Sequence, residues 1–351
     1  MPLSLLKAER LRCLRDVTLE LSPGVNVIHG SNGSGKTSLL ESMFLCGRGR
    51  SFRGRQTEKA IARGESSLQV FARTQEPDHR IGFGYERDGG YTARLDGADV
   101  QSLAELPAAF FVEVIDPDVH RLVEGAPSER RRWLDWGVFH VEHQFLPQWL
   151  RFSRALKQRN AALKQGLDPR PWDRELVEHG EAVARLRGVW VESLRPYWQI
   201  AVDRLAGLDV QLSYFRGWAQ DRALPDVLTE SLARDRERGT TGTGPQRADV
   251  HLKLGTAAAR DVLSRGQQKL VSAALVLALM QRLRSLRVAP PTLLLDDPAA
   301  ELDPERLGRL VDLVRELDCQ LVITSLQPDL RLFGDPDRVF HVEQGRVTRE
   351  R

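Results

Sequence analysis

Short apolar runs bounded by Gly, Pro and Asp alternate with long helical periodicities along this chain, and their order predicts its architecture. Val25-Asn26-Val27-Ile28-His29 reads as a short strand with β-branched residues, and Ser38 to Leu45 as the helix that follows it. Leu68 to Arg73, Ile81 to Tyr85 and Tyr91 to Leu95 are three further strands separated by turn residues. From about Arg130 to Glu237 the texture becomes helical, as in the run from Glu178 to Leu186. Arg234 to Asp249, charged and then rich in Gly and Thr, reads as a surface linker. An α/β texture then returns. Thr256 to Leu286 is predicted mostly helical, Thr292 to Leu295 a buried strand, Pro304 to Leu317 a helix and Leu321 to Thr324 a second buried strand. Arg338 to Val347 reads as a hairpin turning at Gln344-Gly345. No internal repeat or low-complexity tract interrupts the pattern. The expected fold is an α/β domain split by a helical lobe.

Composition narrows the class. At 351 residues, 41% hydrophobic and 28% charged, the chain has ample material for a globular core. Its 51 Lys+Arg against 48 Asp+Glu leave a net charge of +3, so any nucleic-acid surface must be a local patch. Three cysteines, Cys13, Cys46 and Cys319, lie far apart, which suits a reducing cytosol. Charge at Lys7 comes too early for a signal peptide. The longest apolar stretch, Leu270 to Met280, is far short of the ~20 residues a membrane-spanning helix needs. All seven tryptophans lie between Trp133 and Trp218, so the helical lobe is expected to carry its own core.

The candidate chemistry starts at Gly30-Ser31-Asn32-Gly33-Ser34-Gly35-Lys36-Thr37, a complete G-x-x-x-x-G-K-[ST] loop followed by Ser38. It stands between a strand and a helix, the context that gives this motif its meaning. Chance produces the pattern roughly once per hundred chains of this length. Backbone N–H groups turn inward around phosphates, Lys36 reaches the β/γ-phosphates and Thr37 can ligate Mg²⁺. The chain is therefore expected to bind a nucleoside triphosphate. A second element is Leu293-Leu294-Leu295-Asp296-Asp297, a buried strand ending in two carboxylates. In such an arrangement Asp296 holds Mg²⁺ through water and Asp297 polarises the attacking water.

Leu263-Ser264-Arg265-Gly266-Gln267-Gln268-Lys269 and Ala300-Glu301-Leu302-Asp303 then resemble the signature sequence and D-loop of ABC-type ATPases, in their SMC-like branch. Within it, five further stretches are similar to the RecF family of bacterial recombination-mediator ATPases. They are Asn32 to Glu41, Gly49 to Arg53, Arg131 to Gly137, Lys157 to Leu163 and Gly244 to Asp249. The resemblance spans nearly the whole chain. It implies an α/β, ABC/SMC-like P-loop ATPase head, a mixed sheet with flanking helices and an inserted helical lobe. The halves of the head would be residues 1–115 and 245–351, and the insert residues 116–244. It also implies a weak, DNA-stimulated ATPase that dimerises with ATP, Ser264, Gly266 and Gln267 of one chain meeting the γ-phosphate held by the other. The implied partners are duplex and gapped or single-stranded DNA and mediator proteins of the RecO/RecR type, with no membrane and a cytoplasmic, nucleoid-associated location.

Three departures stand out. Glu113 occupies a position where many relatives carry a γ-phosphate-sensing Gln, the strand ending Thr324-Ser325-Leu326-Gln327 lacks the switch His, and Gln246 replaces a His in the Gly-Pro motif. Basic residues cluster at Arg48, Arg50, Arg53, Arg55, Lys59 and Arg63, where the resemblance favours DNA contact through Arg50, Arg53 and Arg55 over a solvated face. Arg151, Arg154, Lys157 and Lys164, with Arg159 nearby, form a stripe open to either reading. Arg10 and Arg12 are placed either to contact nucleotide phosphates or to lie at the surface. Trp133 and Trp136 are expected in the core, and His140 and His143 are expected to be structural. A transporter ATPase is disfavoured by the roughly 230 residues between Lys36 and Ser264, and a chromosome-organising SMC head by the lack of a long heptad arm.

Overall fold

The computed structural model describes residues 2–54, 56–286, 291–327 and 333–351. The chain forms two compact units, one from Met1–Val119 with Arg284–Arg351 and the other from His120–Leu283. The first unit opens with β1 (Leu3–Leu11), β2 (Leu14–Glu20), β3 (Val25–His29) and helix α1 (Lys36–Arg48). Next come β4 (Ser67–Thr74), β5 (Arg80–Glu86), β6 (Gly90–Leu95) and the two-residue β7 (Ala98–Asp99). These make an antiparallel sheet in the order β2-β1-β4-β5-β6-β7. β4 shows the cause, burying Leu68, Val70, Ala72 and Thr74 at alternate positions. Helix α2 (Leu106–Ala109) leads into β8 (Val112–Ile115).

The second unit begins with α3 (Arg121–Glu124), α4 (Pro127–Val141), α5 (Phe145–Lys164) and α6 (Asp173–Ala206). It continues through β9 (Val210–Phe215), α7 (Leu224–Arg238), β10 (Asp249–Leu254), β11 (Ala257–Ala258) and α8 (Ala259–Val262) to α9 (Arg265–Ser285). All seven tryptophans fall within it, and Trp198 is fully buried with Nε1 donating to Val210 O at 2.7 Å.

Two expectations change here. The helical segment carries a three-stranded sheet, β11-β10-β9. Residues 234–249 are not a surface linker. Asp235 and Thr241 are buried, and both accept from the fully buried Arg159 at 2.8 Å. Arg159 also reaches Asp173 at 2.7 Å, so it leaves the exposed basic stripe to Arg151, Arg154, Lys157 and Lys164. The Gly-Pro stretch is tied in likewise. Arg187 donates to Pro245 O at 2.8 Å while pairing with Asp135, and Arg130 pairs with Asp249. Its polar residues are internal fasteners, which periodicity cannot distinguish from solvated ones.

The chain returns to the first unit as β12 (Thr292–Leu295), α10 (Pro298–Glu301), α11 (Pro304–Arg315), β13 (Gln320–Ser325), β14 (Arg338–Glu343) and β15 (Arg346–Arg349). The second sheet runs β15-β14-β3-β13-β12-β8, with parallel pairing from β14 to β8. Every residue of β12 and β13 is buried, as in a sheet covered on both faces, with an apolar centre and the polar Thr292, Gln320, Thr324 and Ser325 at the strand ends. Helix α1 lies between the two sheets, packing Leu39, Leu40, Met43 and Phe44 into one core with Leu6, Leu68, Leu294 and Val322.

Candidate nucleotide-binding site

Strand register sets the site before any side chain matters. β13 lies between β3 and β12, with Thr324 opposite Ile28 and Ile323 opposite Leu295. Three carboxyl ends therefore open at one edge of the sheet, the usual place for a ligand in a parallel α/β sheet. β3 delivers the loop from Gly30 to Thr37, β12 delivers Asp296 and Asp297, and β13 delivers Thr324.

The loop is pinned at both ends. Gly30 N–H donates to Ser325 O at 3.2 Å, and Gly345 N–H donates to Ser34 O at 2.8 Å. Gly30 has φ 154°, and a Cβ there would stand 2.2 Å from Val342 O. Gly345, in the β14–β15 turn at φ 77°, has the same constraint, since a Cβ would lie 2.2 Å from Cys13 O. The hairpin turn is thus part of the loop's support.

Lys36 is buried, and Nζ donates to Gly30 O at 2.7 Å and to Ser31 O at 3.0 Å. Burial lowers its pKa, opposed by the charges of Asp297 and Asp296. The Ser34 hydroxyl is buried without a hydrogen-bond partner, and phosphate oxygens would satisfy it as they would the ammonium. Asn32, Gly33 and Ser38 complete the turn onto α1, whose N-terminal dipole favours an anion. The residues present fit a polyphosphate.

The acidic side is equally specific. Thr37 Oγ1 donates to Asp296 and lies 3.0 Å from each carboxylate oxygen. Thr324 Oγ1 donates to Asp296 Oδ1 at 2.8 Å and accepts from Asp297 N–H at 2.9 Å. Asp297 has a left-handed backbone, φ 48°. Burial raises its carboxyl pKa, with Lys36 opposing and Asp296 and Glu301 adding to the rise. Thr37 and Asp296 supply hard oxygen ligands suited to Mg²⁺. Among the described residues no group of three or more His, Cys, Asp and Glu is arranged to hold a metal.

Glu113, at the position of the relatives' Gln, has a structural partner. It is buried in β8 and bound by Arg48 of the last turn of α1, whose Nε also donates to Val112 O at 3.2 Å. Helix α1 runs from Lys36 to Arg48, so the Glu113 carboxylate is engaged at the end of α1 opposite the phosphate loop. Burial pulls the Arg48 guanidinium down to about 9, opposed by Glu113, and removes Arg48 from the basic cluster. Asp296 N–H donates to Ile115 O at 3.0 Å, so the residue of this strand that borders the acidic pair is Ile115.

The other candidates divide. Arg12 turns to α1, where Nε and Nη2 each donate 2.9 Å bonds to Glu41. Arg53 is partly exposed, with Nη1 3.6 Å from Glu41, Arg50 is half-buried, and Arg55 lies outside the described residues. Asp303 caps α11, accepting from Arg306 N–H at 2.9 Å. In the second unit, Ser264 and Gln267 form a reciprocal cap on α9, with bonds of 2.9 and 3.3 Å, at an exposed helix end. A Cβ on Gly266 would meet nothing within 4 Å. Trp133 and Trp136 are buried, and His140 Nδ1 lies 2.8 Å from Trp136 O. Sequence reasoning missed Thr324, Gly345 and Glu41. Thr324 was legible as the end of a buried strand, but not as the neighbour of both motifs.

Residues 2–348 match the family model described as RecF/RecN/SMC N terminal domain. The chain is 43% identical over 350 residues to a Pseudomonas putida protein described as DNA replication and repair protein RecF, covering 96% of this chain and 95% of that protein. It is 41% identical over 360 residues to a protein of the same description from Pseudomonas paraeruginosa, with 99% and 98% covered. A solved structure of the recombination mediator protein RecF with ATP, in the RecFOR pathway, matches with a TM-score of 0.89 at 25% identity over 100% of this chain and 98% of that one. An Smc head bound to the C-terminal winged-helix domain of ScpA shares the fold, with a TM-score of 0.58 at 15% identity over 99% and 97% of the chains.

Proposed function

We propose, from the premise that this chain belongs to the RecF/RecN/SMC N-terminal-domain family, that it is an ATP-dependent DNA-binding recombination mediator acting in DNA replication and repair. One observation carries the reading. Thr37, from the phosphate loop, bonds Asp296, which lies 259 residues further along the chain. Two motifs that are far apart in sequence thus make a single phosphate and cation site.

ATP would lie with its phosphates against the N–H groups of Gly30 to Ser38 and the Lys36 ammonium. Thr37 and Asp296 would hold Mg²⁺, which neutralises and orients the phosphates. Asp297, buried and with its pKa raised, is the group to polarise the attacking water in slow, DNA-stimulated hydrolysis. Ser264, Gly266 and Gln267 of one chain would complete the site of a second, making ATP the link of a homodimer. In this reading residues 1–115 and 245–351 act as the two halves of the head and 116–244 as the arm. The partners are duplex and gapped or single-stranded DNA and mediators of the RecO/RecR type, in the cytoplasm at the nucleoid. Arg50, Arg53 and Arg55 are the proposed phosphate contacts. Among the described residues no helix is long and apolar enough to cross a membrane.

The test is binding of the purified protein to duplex, single-stranded and gapped DNA, with and without ATP, across a salt series. ATP should tighten binding, and affinity should fall linearly with salt on logarithmic axes. An Arg50/Arg53→Ala variant should bind more weakly and show a shallower salt slope. DNA binding that ignores ATP would count against the reading.

A further inference from the structure

We propose that Thr324 is a positioning residue whose single hydroxyl holds both members of the acidic pair against the phosphate loop, so that Mg²⁺ capture and ATP hydrolysis depend on it. This rests on the reading that the site binds and hydrolyses ATP with Mg²⁺, and it assigns a role at a strand end where the sequence lacks the switch His.

The argument begins with hydrogen-bond capacity. Thr324 is fully buried. Its hydroxyl has one proton, given to Asp296 Oδ1 at 2.8 Å in preference to Leu295 O at 3.5 Å, and it accepts from Asp297 N–H at 2.9 Å. One atom therefore fixes the carboxylate of the first acid and the backbone of the second.

The second step concerns Thr37. Its hydroxyl also donates to Asp296, 3.0 Å from each oxygen. If Thr37 and Asp296 held Mg²⁺, the Thr37 hydroxyl would offer the cation a lone pair and its proton would no longer be held on Asp296. Thr324 is then the hydroxyl left to keep Asp296 from rotating. The Asp297 backbone, at φ 48°, is in a region that non-glycine residues visit rarely, and the bond from its N–H to Thr324 holds it there. Released from that bond, Asp297 would lose its placement beside Lys36. The strand order makes the position special, because β13 alone lies between the loop strand β3 and the acid strand β12.

Valine reproduces the shape of threonine without the hydroxyl, and serine keeps the hydroxyl. The experiment compares wild type, Thr324→Val and Thr324→Ser in two assays: equilibrium binding of a fluorescent ATP analogue during a Mg²⁺ titration, and single-turnover hydrolysis. Thr324→Val should bind the analogue normally in EDTA, since Lys36 and the loop make those contacts. The Mg²⁺ needed for half-maximal effect should rise about tenfold and hydrolysis should fall about ten- to a hundredfold, the range of lost outer-shell contacts. Thr324→Ser should stay close to wild type in both assays. A Thr324→Val protein with wild-type Mg²⁺ dependence and rate overturns the proposal, as does a Thr324→Ser protein as impaired as Thr324→Val. If Thr324→Val loses its cooperative thermal transition, Thr324→Ala takes its place in the same comparison. A wild type that neither binds nor hydrolyses Mg·ATP would instead sink the ATPase reading itself.

Discussion

Arg12 holds Glu41 through two 2.9 Å hydrogen bonds, Nε to Oε2 and Nη2 to Oε1, and so fastens the β1–β2 turn to the middle of the phosphate-loop helix. Glu41 is completely buried and also accepts from Ser51 Oγ at 2.5 Å. Arg12→Ala would leave that buried carboxylate with only the exposed Arg53, 3.6 Å away, as a cation, and should cost up to about 3 kcal/mol. Glu41→Gln should cost less, because the Arg12 guanidinium is partly exposed and can turn to water. Urea unfolding followed by far-UV circular dichroism checks the order. An Arg12→Ala protein no less stable than Glu41→Gln would remove the pair from its structural role.

The two halves of the site should separate on mutation. Lys36→Ala removes the cation that Gly30 O and Ser31 O hold over the loop, and should weaken ATP binding by roughly ten- to a hundredfold. Asp297→Asn leaves the loop intact and should bind ATP while losing about a hundredfold or more in hydrolysis. Filter binding and single-turnover assays distinguish them. Normal turnover by Asp297→Asn would take that residue out of the catalytic role.

The cysteines offer a chemical probe. Cys13 is exposed, its Sγ 4.0 Å from Ser34 O and 4.0 Å from Ser38 Oγ. Burial pushes the thiols of Cys46 and Cys319 up to about 12. A raised value keeps them protonated until the solution becomes strongly alkaline, and only the thiolate reacts. Around pH 8 an alkylating reagent should therefore modify Cys13 alone, and bound ATP should shield it. Peptide mass spectrometry gives the readout. Rapid labelling of Cys46, or labelling of Cys13 that ATP does not slow, would contradict the geometry.

A shared catalytic site predicts complementation. Ser264→Arg should bind ATP as a monomer but fail to dimerise and hydrolyse, because its loop is untouched while the exposed cap of α9 is blocked. Mixed with Lys36→Ala it should recover partial hydrolysis, since at most about half of randomly paired dimers contain one intact combination. Sedimentation and phosphate release measure the two effects. Normal hydrolysis by Ser264→Arg alone would exclude the shared site.

Local chemistry was legible and spatial adjacency was not. The loop, the acidic pair and the hairpin at Gln344-Gly345 announce themselves because each is set by residues within a few positions of one another. The surroundings of Arg159 and Glu113 were not legible for one reason. Their partners, Asp235 and Arg48, are 76 and 65 residues away, and an isolated charge reads as solvated or functional until its buried partner is known. Strands β9 and β10 were lost among the helices because about thirty residues separate them and only their pairing makes them a sheet. Thr324 belongs with these. Its hydroxyl gains meaning from strand order alone.

The strand order also constrains how the polypeptide can be made. β3, which launches the phosphate loop, pairs on one side with β13 and on the other with β14, both near the end of the chain. A ribosome must add roughly three hundred residues after Ile28 before either neighbour exists, about a quarter of a minute to a minute at ordinary elongation rates. During that interval β1, β2 and β4 to β7 can already pair among themselves, while β3 has both edges bare. The phosphate loop thus gains its flanking strands only once β13 and β14 have been translated, and a message cut short before β13 yields a polypeptide that has the loop but lacks the strands that would hold it in place.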